Sequence, residues 1–226
     1  MMNKRILKKS ASLALAKTLQ NSQKKKKQNS ELKNAAIFFS LLSAAVAGRV
    51  AMQWIPSVEP IIPFAVIAGL LFGMREGAML GGMAYVISNF FIWGLQGPWT
   101  IFQALGAGIA GGIAGIYGKA KKPGATDLIL LSLLGTVIFE VIMNVSGAFM
   151  GIGLLGAFSI IMLPLYFAMS LPFTAAHIFT NIAFARLMSP LLKLWRQKDE
   201  FKIISVSRVD ASGGRTDYRL YKSERE

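Results

Sequence analysis

Between Asn34 and Ala185 the chain carries nine charged side chains: Arg49, Glu59, Arg75, Glu76, Lys119, Lys121, Lys122, Asp127 and Glu140. So long a stretch with so few charges has no polar surface with which to cover a water-facing fold. Over the whole chain 54% of residues are hydrophobic and 16% are charged, against roughly 25% charged in an ordinary globular protein. The other twenty-seven charges lie in the two ends and at Arg186. Such a chain reads as one apolar body between two polar ends, an all-α, multi-pass protein of the cell membrane, because helices satisfy their own backbone groups in lipid.

The net charge of +14 is concentrated rather than spread. The first 33 residues hold ten Lys/Arg and a single acid, Glu31. A basic end beside an apolar body points to topology control and to attraction for anionic lipid, and no nucleic acid partner is expected. Lys24 to Lys27 stand where a cleavable signal peptide would need small residues. The segment therefore reads as a retained tail, disordered or lying as a surface helix, though its acid-poor composition also resembles an organelle transit peptide. The absence of cysteine excludes disulfides and thiol chemistry.

A spanning helix takes about 20 mostly apolar residues. Six such segments are expected near 35–55, 58–73, 76–93, 99–118, 127–148 and 172–190, with turns at Pro56 to Pro63, at Gly94 to Pro98 and at the polar stretch Lys119 to Gly124. Base-rich and base-poor connections alternate, which predicts a six-transmembrane-helix bundle with both termini inside. Three regions follow: a basic cytoplasmic tail over 1–33, the membrane domain over 34–192, and a cytoplasmic C-terminal tail over 193–226. The last could form a small hairpin around Ser212-Gly213-Gly214. Residues 149–171 are apolar enough for a seventh span, but that would place the basic C-terminus outside. They are expected to form a long apolar outer loop or re-entrant helix, broken at Pro164.

Polar side chains within such helices are costly and mark functional sites. With the directions above, Arg49, Asn89, Glu140, Asn144, His177 and Asn181 all fall in the outer half of their spans, near Trp99 and Gln103. These eight are the candidate substrate-binding residues, with Asn89, Glu140 and Asn144 the foremost for ligand contact and Trp99 closing above. Structural readings stand beside this one. Arg49 and Glu140 could pair with each other. Asn144 with Glu140 and His177 with Asn181, each four apart, could join helices. Trp54, Trp93 and Trp99 suit an interfacial belt.

Small residues recur every fourth position: Ser40, Ala44 and Gly48, with Ala47 and Ala51 beside them, then Gly77 and Gly81, Gly108 and Gly112, Gly111 and Gly115. Such stripes let helix backbones approach closely. Catalytic patterns are missing. One histidine makes a His-based metal site improbable, and there is neither a GxxxxGK[ST] nor a GxSxG motif. No enzyme activity, cofactor or metal is expected.

The stretch from Gly48-Arg49 to Gly115 resembles the substrate-binding S components of energy-coupling factor (ECF) transporters. The resemblance rests on the small-residue first helix, the Ser57-Val58-Glu59-Pro60 turn, and the short span ending Leu71-Phe72-Gly73. The Gly-rich span ending Ser88-Asn89-Phe90, the Gly97-Pro98-Trp99-Thr100 stretch, and His177, Asn181 and Pro190 add to it. It covers roughly residues 35–192. It implies a six-helix protein that captures a vitamin or related micronutrient from outside. Such a protein delivers its cargo through a transmembrane T component driven by two ATPase subunits, as part of an ABC-type importer. The docking surface it implies is Ala44, Ala47, Gly48 and Ala51. The long basic tail departs from the family pattern. The alternatives are a stand-alone facilitator or channel and a membrane scaffold with a lipid-binding tail.

Overall fold

The computed structural model describes residues 4–92, 97–155 and 162–200, with side chains over 20–92, 97–150 and 163–194. Six helices follow one another: α1 (Lys4–Ala51), α2 (Ile61–Phe72), α3 (Met74–Ser88), α4 (Trp99–Ala120), α5 (Ala125–Leu155) and α6 (Met162–Glu200). No strand occurs among the described residues.

Four segments are long and apolar enough to cross a membrane: Gln20–Ala51, Trp99–Ala120, Ala125–Met150 and Leu163–Leu194. By contrast, α2 has 12 residues and α3 has 15. At about 1.5 Å per residue they are roughly 18 and 22 Å long, short of the ~30 Å hydrocarbon core.

Three boundaries differ from the sequence expectation. The basic tail is not separate from the first span, because α1 is one helix of 48 residues from Lys4 to Ala51. No glycine or proline precedes Gly48, so nothing interrupts it. Nor are the described residues of 149–171 a long loop. Residues up to Leu155 continue α5 and those from Met162 open α6, leaving 156–161 outside the described residues. Pro164 falls in the first turn of α6, where the missing amide proton would have no intrahelical partner in any case. It starts the helix rather than breaking it. At the other end residues 193–200 belong to α6, and the expected hairpin around Ser212 lies outside the described residues.

The tightest packing joins α2, α3 and α4. A Cβ on Gly77 would stand 2.3 Å from the carbonyl oxygen of Gly111, and one on Gly111 would stand 2.2 Å from that of Gly77. The two backbones are in direct contact, which no larger residue permits. Gly73 alone joins α2 to α3. Its φ of 117° and ψ of −178° lie in a region open essentially to glycine only. The chain thereby reverses within one residue, and α2 and α3 form a short antiparallel hairpin on which α4 lies.

α5 and α6 form a second, longer hairpin. Thr136 meets Asn181, Glu140 meets Thr174 and His177, and Gly147 lies against Tyr166. Pairing of rising with falling residue numbers shows the two helices to be antiparallel. At the polar end of α4, Tyr117 bonds Asp127 across the turn, and Asp127 also accepts the amide of Gly124 at 2.6 Å, capping the start of α5.

Candidate functional site

Near the ends of α1 and α3, the start of α2 and the middle of α5 and α6, polar side chains gather in one layer of an otherwise apolar bundle. Arg49, Asn89, Gln103, Asn144, His177 and Asn181 are all buried, and Glu140 is nearly so. They come from α1, α4, α5 and α6 and from the C-terminal end of α3. Packing holds the layer together as well: the Phe139 ring stacks on Tyr85 at 5.2 Å and meets His177 edge-on at 5.4 Å.

Arg49 does not pair with Glu140. Its Nε donates to Glu59, and its Nη1 donates to Ser88 Oγ (2.7 Å) and to Asn89 Oδ1 (2.5 Å). The guanidinium also lies 4.5 Å from the centre of the Tyr85 ring. The reason for the different partner is proximity along the chain. Pro60 at the start of α2 packs against Gly48 at the end of α1, where a Cβ on Gly48 would come within 2.7 Å of the ring. The returning chain therefore delivers Glu59 to Arg49 before α5 is reached. The Tyr85 hydroxyl donates to the other oxygen of Glu59. Asn89 extends the network through Nδ2, donating to Thr100 Oγ1 (2.7 Å) and Gln103 Oε1 (2.9 Å).

Glu140 belongs to a second group. Its Oε2 accepts from Thr174 Oγ1 at 2.9 Å, and its Oε1 lies 2.6 Å from His177 Nδ1, which donates to it. The far nitrogen of His177, Nε2, lies 3.6 Å from Glu59 Oε1 and makes no hydrogen bond. His177, at 2% exposure, thus stands between two carboxylates. Asn181 donates to Thr136 Oγ1 at 2.9 Å, while its own Oδ1 is buried without a partner. Asn144 turns back on its helix and donates to the backbone carbonyl of Glu140 at 2.9 Å.

A cleft of about 160 Å³ opens beside this layer between α5 and α6. Glu140, Asn144, Ser170 and Thr174 supply its polar lining, and Val137, Val141, Phe167 and Leu171 its apolar walls. Val141 and Leu171 are exposed on the surface of the bundle. Pro172 lies at this level inside α6. Its ring cannot donate to the helix ladder and pushes on the preceding turn, in keeping with the gap beside it.

Trp99 opens α4 and packs over Gly147 of α5, where a Cβ would lie 3.2 Å from the indole. It therefore sits beside the α5–α6 hairpin. The small-residue stripe of α1 divides. Ala44, Ala47 and Ala51 are exposed on one face, whereas Gly48 is turned inward against Pro60. Among the described residues no group of three or more His, Cys, Asp or Glu is arranged to hold a metal ion.

The layer includes residues that the sequence reading passed over: Glu59, Tyr85, Ser88, Phe139 and Thr174. Tyr85 stands four residues before Asn89, on the same helical face, and that spacing was visible in the sequence. Glu59 was assigned to a connection, as a charge and as part of the Ser57-Val58-Glu59-Pro60 turn, and not to the site. No protein-family description, curated protein or solved structure matches this chain.

Proposed function

We propose that this chain is a membrane-embedded capture protein for a small organic nutrient, of the kind represented by ECF S components. In this reading the bundle crosses the membrane with both termini inside, and α2 and α3 form a short re-crossing pair. It hands its cargo to a transmembrane T component powered by two ATPases. The observation that carries the reading is the polar layer. Ionisable side chains at membrane depth are expensive and mark ligand or ion paths, and here two acids, an arginine and a histidine meet beside a cleft. A channel is less favoured, because side-chain hydrogen bonds among α1, α3 and α4 close the layer across the bundle. The exposed alanines of α1 supply a face on which another helix could approach closely.

The test is purification in mild detergent followed by mass spectrometry of the extracted small molecules. A capture protein should carry one compound at near-stoichiometric level, and Glu59→Gln or Asn89→Ala should lower its occupancy. An empty protein that none of a panel of vitamins stabilises against heat would overturn the reading. Cysteines placed at Lys121 and Ser212 should both be labelled from the cytoplasmic side.

A further inference from the structure

The two acids of the polar layer are unequally matched. Glu59 holds the guanidinium of Arg49 and the hydroxyl of Tyr85. Glu140 holds one hydroxyl, from Thr174, and one ring nitrogen, from His177. Beside one fixed cation, Arg49, the layer holds two carboxylates with a single imidazole between them. An uncompensated carboxylate at this depth is unfavourable unless something positive approaches it. The Nε2 of His177, buried with its ring, faces Glu59 at 3.6 Å without a hydrogen bond.

Among the described residues Glu140 is also the one charged residue lining the α5–α6 cleft. Each carboxylate oxygen can accept two hydrogen bonds, so both retain acceptor capacity beside their described partners. Around Glu140 the cleft is apolar on the sides of Val141, Phe167 and Leu171. Its volume of about 160 Å³ is below the ~300–1,000 Å³ of a pocket enclosing a drug-sized ligand. It fits a headgroup, with the rest of the molecule lying along the open, apolar side.

We propose that this cleft binds an organic ammonium group, a protonated amine or quaternary ammonium, seated on Glu140. The apolar part of the ligand lies against Phe167, Val141 and Leu171. Phe167 supplies an aromatic wall for the cation's alkyl groups. Entry is from the side of the bundle, between two helices, because the rim residues are the exposed ones. The proposal rests on the capture reading for its biological role, though the site itself does not depend on it. The same chemistry could come from a dissolved organic cation or from an aminophospholipid headgroup.

The probe is n-octylammonium, with n-octanoate and n-octanol as matched controls, added to the full-length protein in nanodiscs and followed by calorimetry. Saturable binding of octylammonium is expected, with octanoate and octanol at least tenfold weaker. Glu140→Gln should lower octylammonium affinity at least tenfold. Val141→Trp, which fills the cleft from its exposed rim and leaves the polar layer intact, should lower it equally; it serves where Glu140→Gln fails to fold. Octanol binding as tightly as octylammonium, or undiminished binding to Val141→Trp, overturns the proposal. Nanodiscs of phosphatidylglycerol alone, compared with the same lipid mixed with phosphatidylethanolamine, assign the source. Competition by the latter identifies a lipid headgroup, and its absence a dissolved cation, the site standing in both cases. The two readings fail separately. A nutrient that co-purifies with wild type and with Val141→Trp alike keeps capture but places it elsewhere. Octylammonium binding by a protein that carries no nutrient keeps the cleft and removes capture.

Discussion

The α2–α3–α4 block and the α5–α6 hairpin are built on opposite plans. In the block, helices meet backbone to backbone, with Gly69, Gly77, Gly81, Gly111 and Gly115 at the contacts. In the hairpin, contact is made by side chains, Thr136 with Asn181 and Glu140 with Thr174 and His177. Within the most apolar window 44% of α4 is buried, against 11% of α6. The first plan tolerates no added atom at these five glycines. The second leaves a cleft, exposed rims and a proline inside a helix. In lipid, where helices gain little from hiding apolar surface from each other, close contact makes the block a rigid support. The hairpin, with fewer neighbours, is the half with room for a ligand.

Gly111→Leu attacks the block where it is closest. Its side chain would have to occupy the position of the Gly77 carbonyl, which no rotamer avoids. The folded protein should be lost from detergent extracts, seen as aggregation on size exclusion. Leu in place of Val145 on the exposed face of the hairpin should shift stability by no more than about 0.5 kcal/mol. Equal effects at the two positions would break the comparison.

Glu59→Gln comes next. It leaves the buried guanidinium of Arg49 without its counter-ion, a change that costs about 3–5 kcal/mol when one member of a buried pair is removed. Thermal unfolding in detergent should show it, and the double change Arg49→Gln/Glu59→Gln should recover part of the loss. A double variant no better than the single one would mean that the pair does not act as a unit.

Gly73→Ala should cost about 1–3 kcal/mol, because alanine is strained at this backbone conformation. The loss should appear in the block without changing binding at the cleft. The smallest effect on stability is expected at Ala47, exposed on α1. Ala47→Trp should leave unfolding nearly unchanged and, on the proposed capture function, abolish pull-down of the T component. Gly48→Trp, directed into Pro60, should instead unfold the end of α1. Intact assembly with Ala47→Trp would remove the docking role from this face.

The long apolar helices were legible because nothing but lipid or a buried core accommodates such runs, and the turns because proline and glycine mark them. The reversal at Gly73 was legible only as the end of a span; that a single residue turns the chain depends on a backbone angle that no neighbouring residue announces. The unbroken α1 was also available to reading. From Lys4 to Ala47 it contains neither glycine nor proline, but its lysines suggested a solvated tail, and charge does not stop a helix. Around residues 149–171 the error came from treating Pro164 as a breaker without asking whether it stood in a first turn. In the site, depth along each helix could be read from residue spacing, which brought Arg49, Asn89, Glu140 and His177 to one level. Their partners could not, because pairing depends on how each helix is rotated about its axis. Arg49 took Glu59, ten residues on, over the more conspicuous Glu140.

The continuity of α1 has a mechanical consequence. A helix carries bending and twist along its whole length, so the part within the bundle and the part bearing Lys24 to Lys27 move as one lever. From Asn34 back to Lys4 the arm is about 45 Å long. A tilt of about 10° in the bundle therefore sweeps its far end by roughly 8 Å. Anything that grips the lysines would feel the tilt of the first helix, and anything that tilts that helix would tug on whatever holds them. Two glycines inserted after Asn34 would cut the lever while keeping every charge.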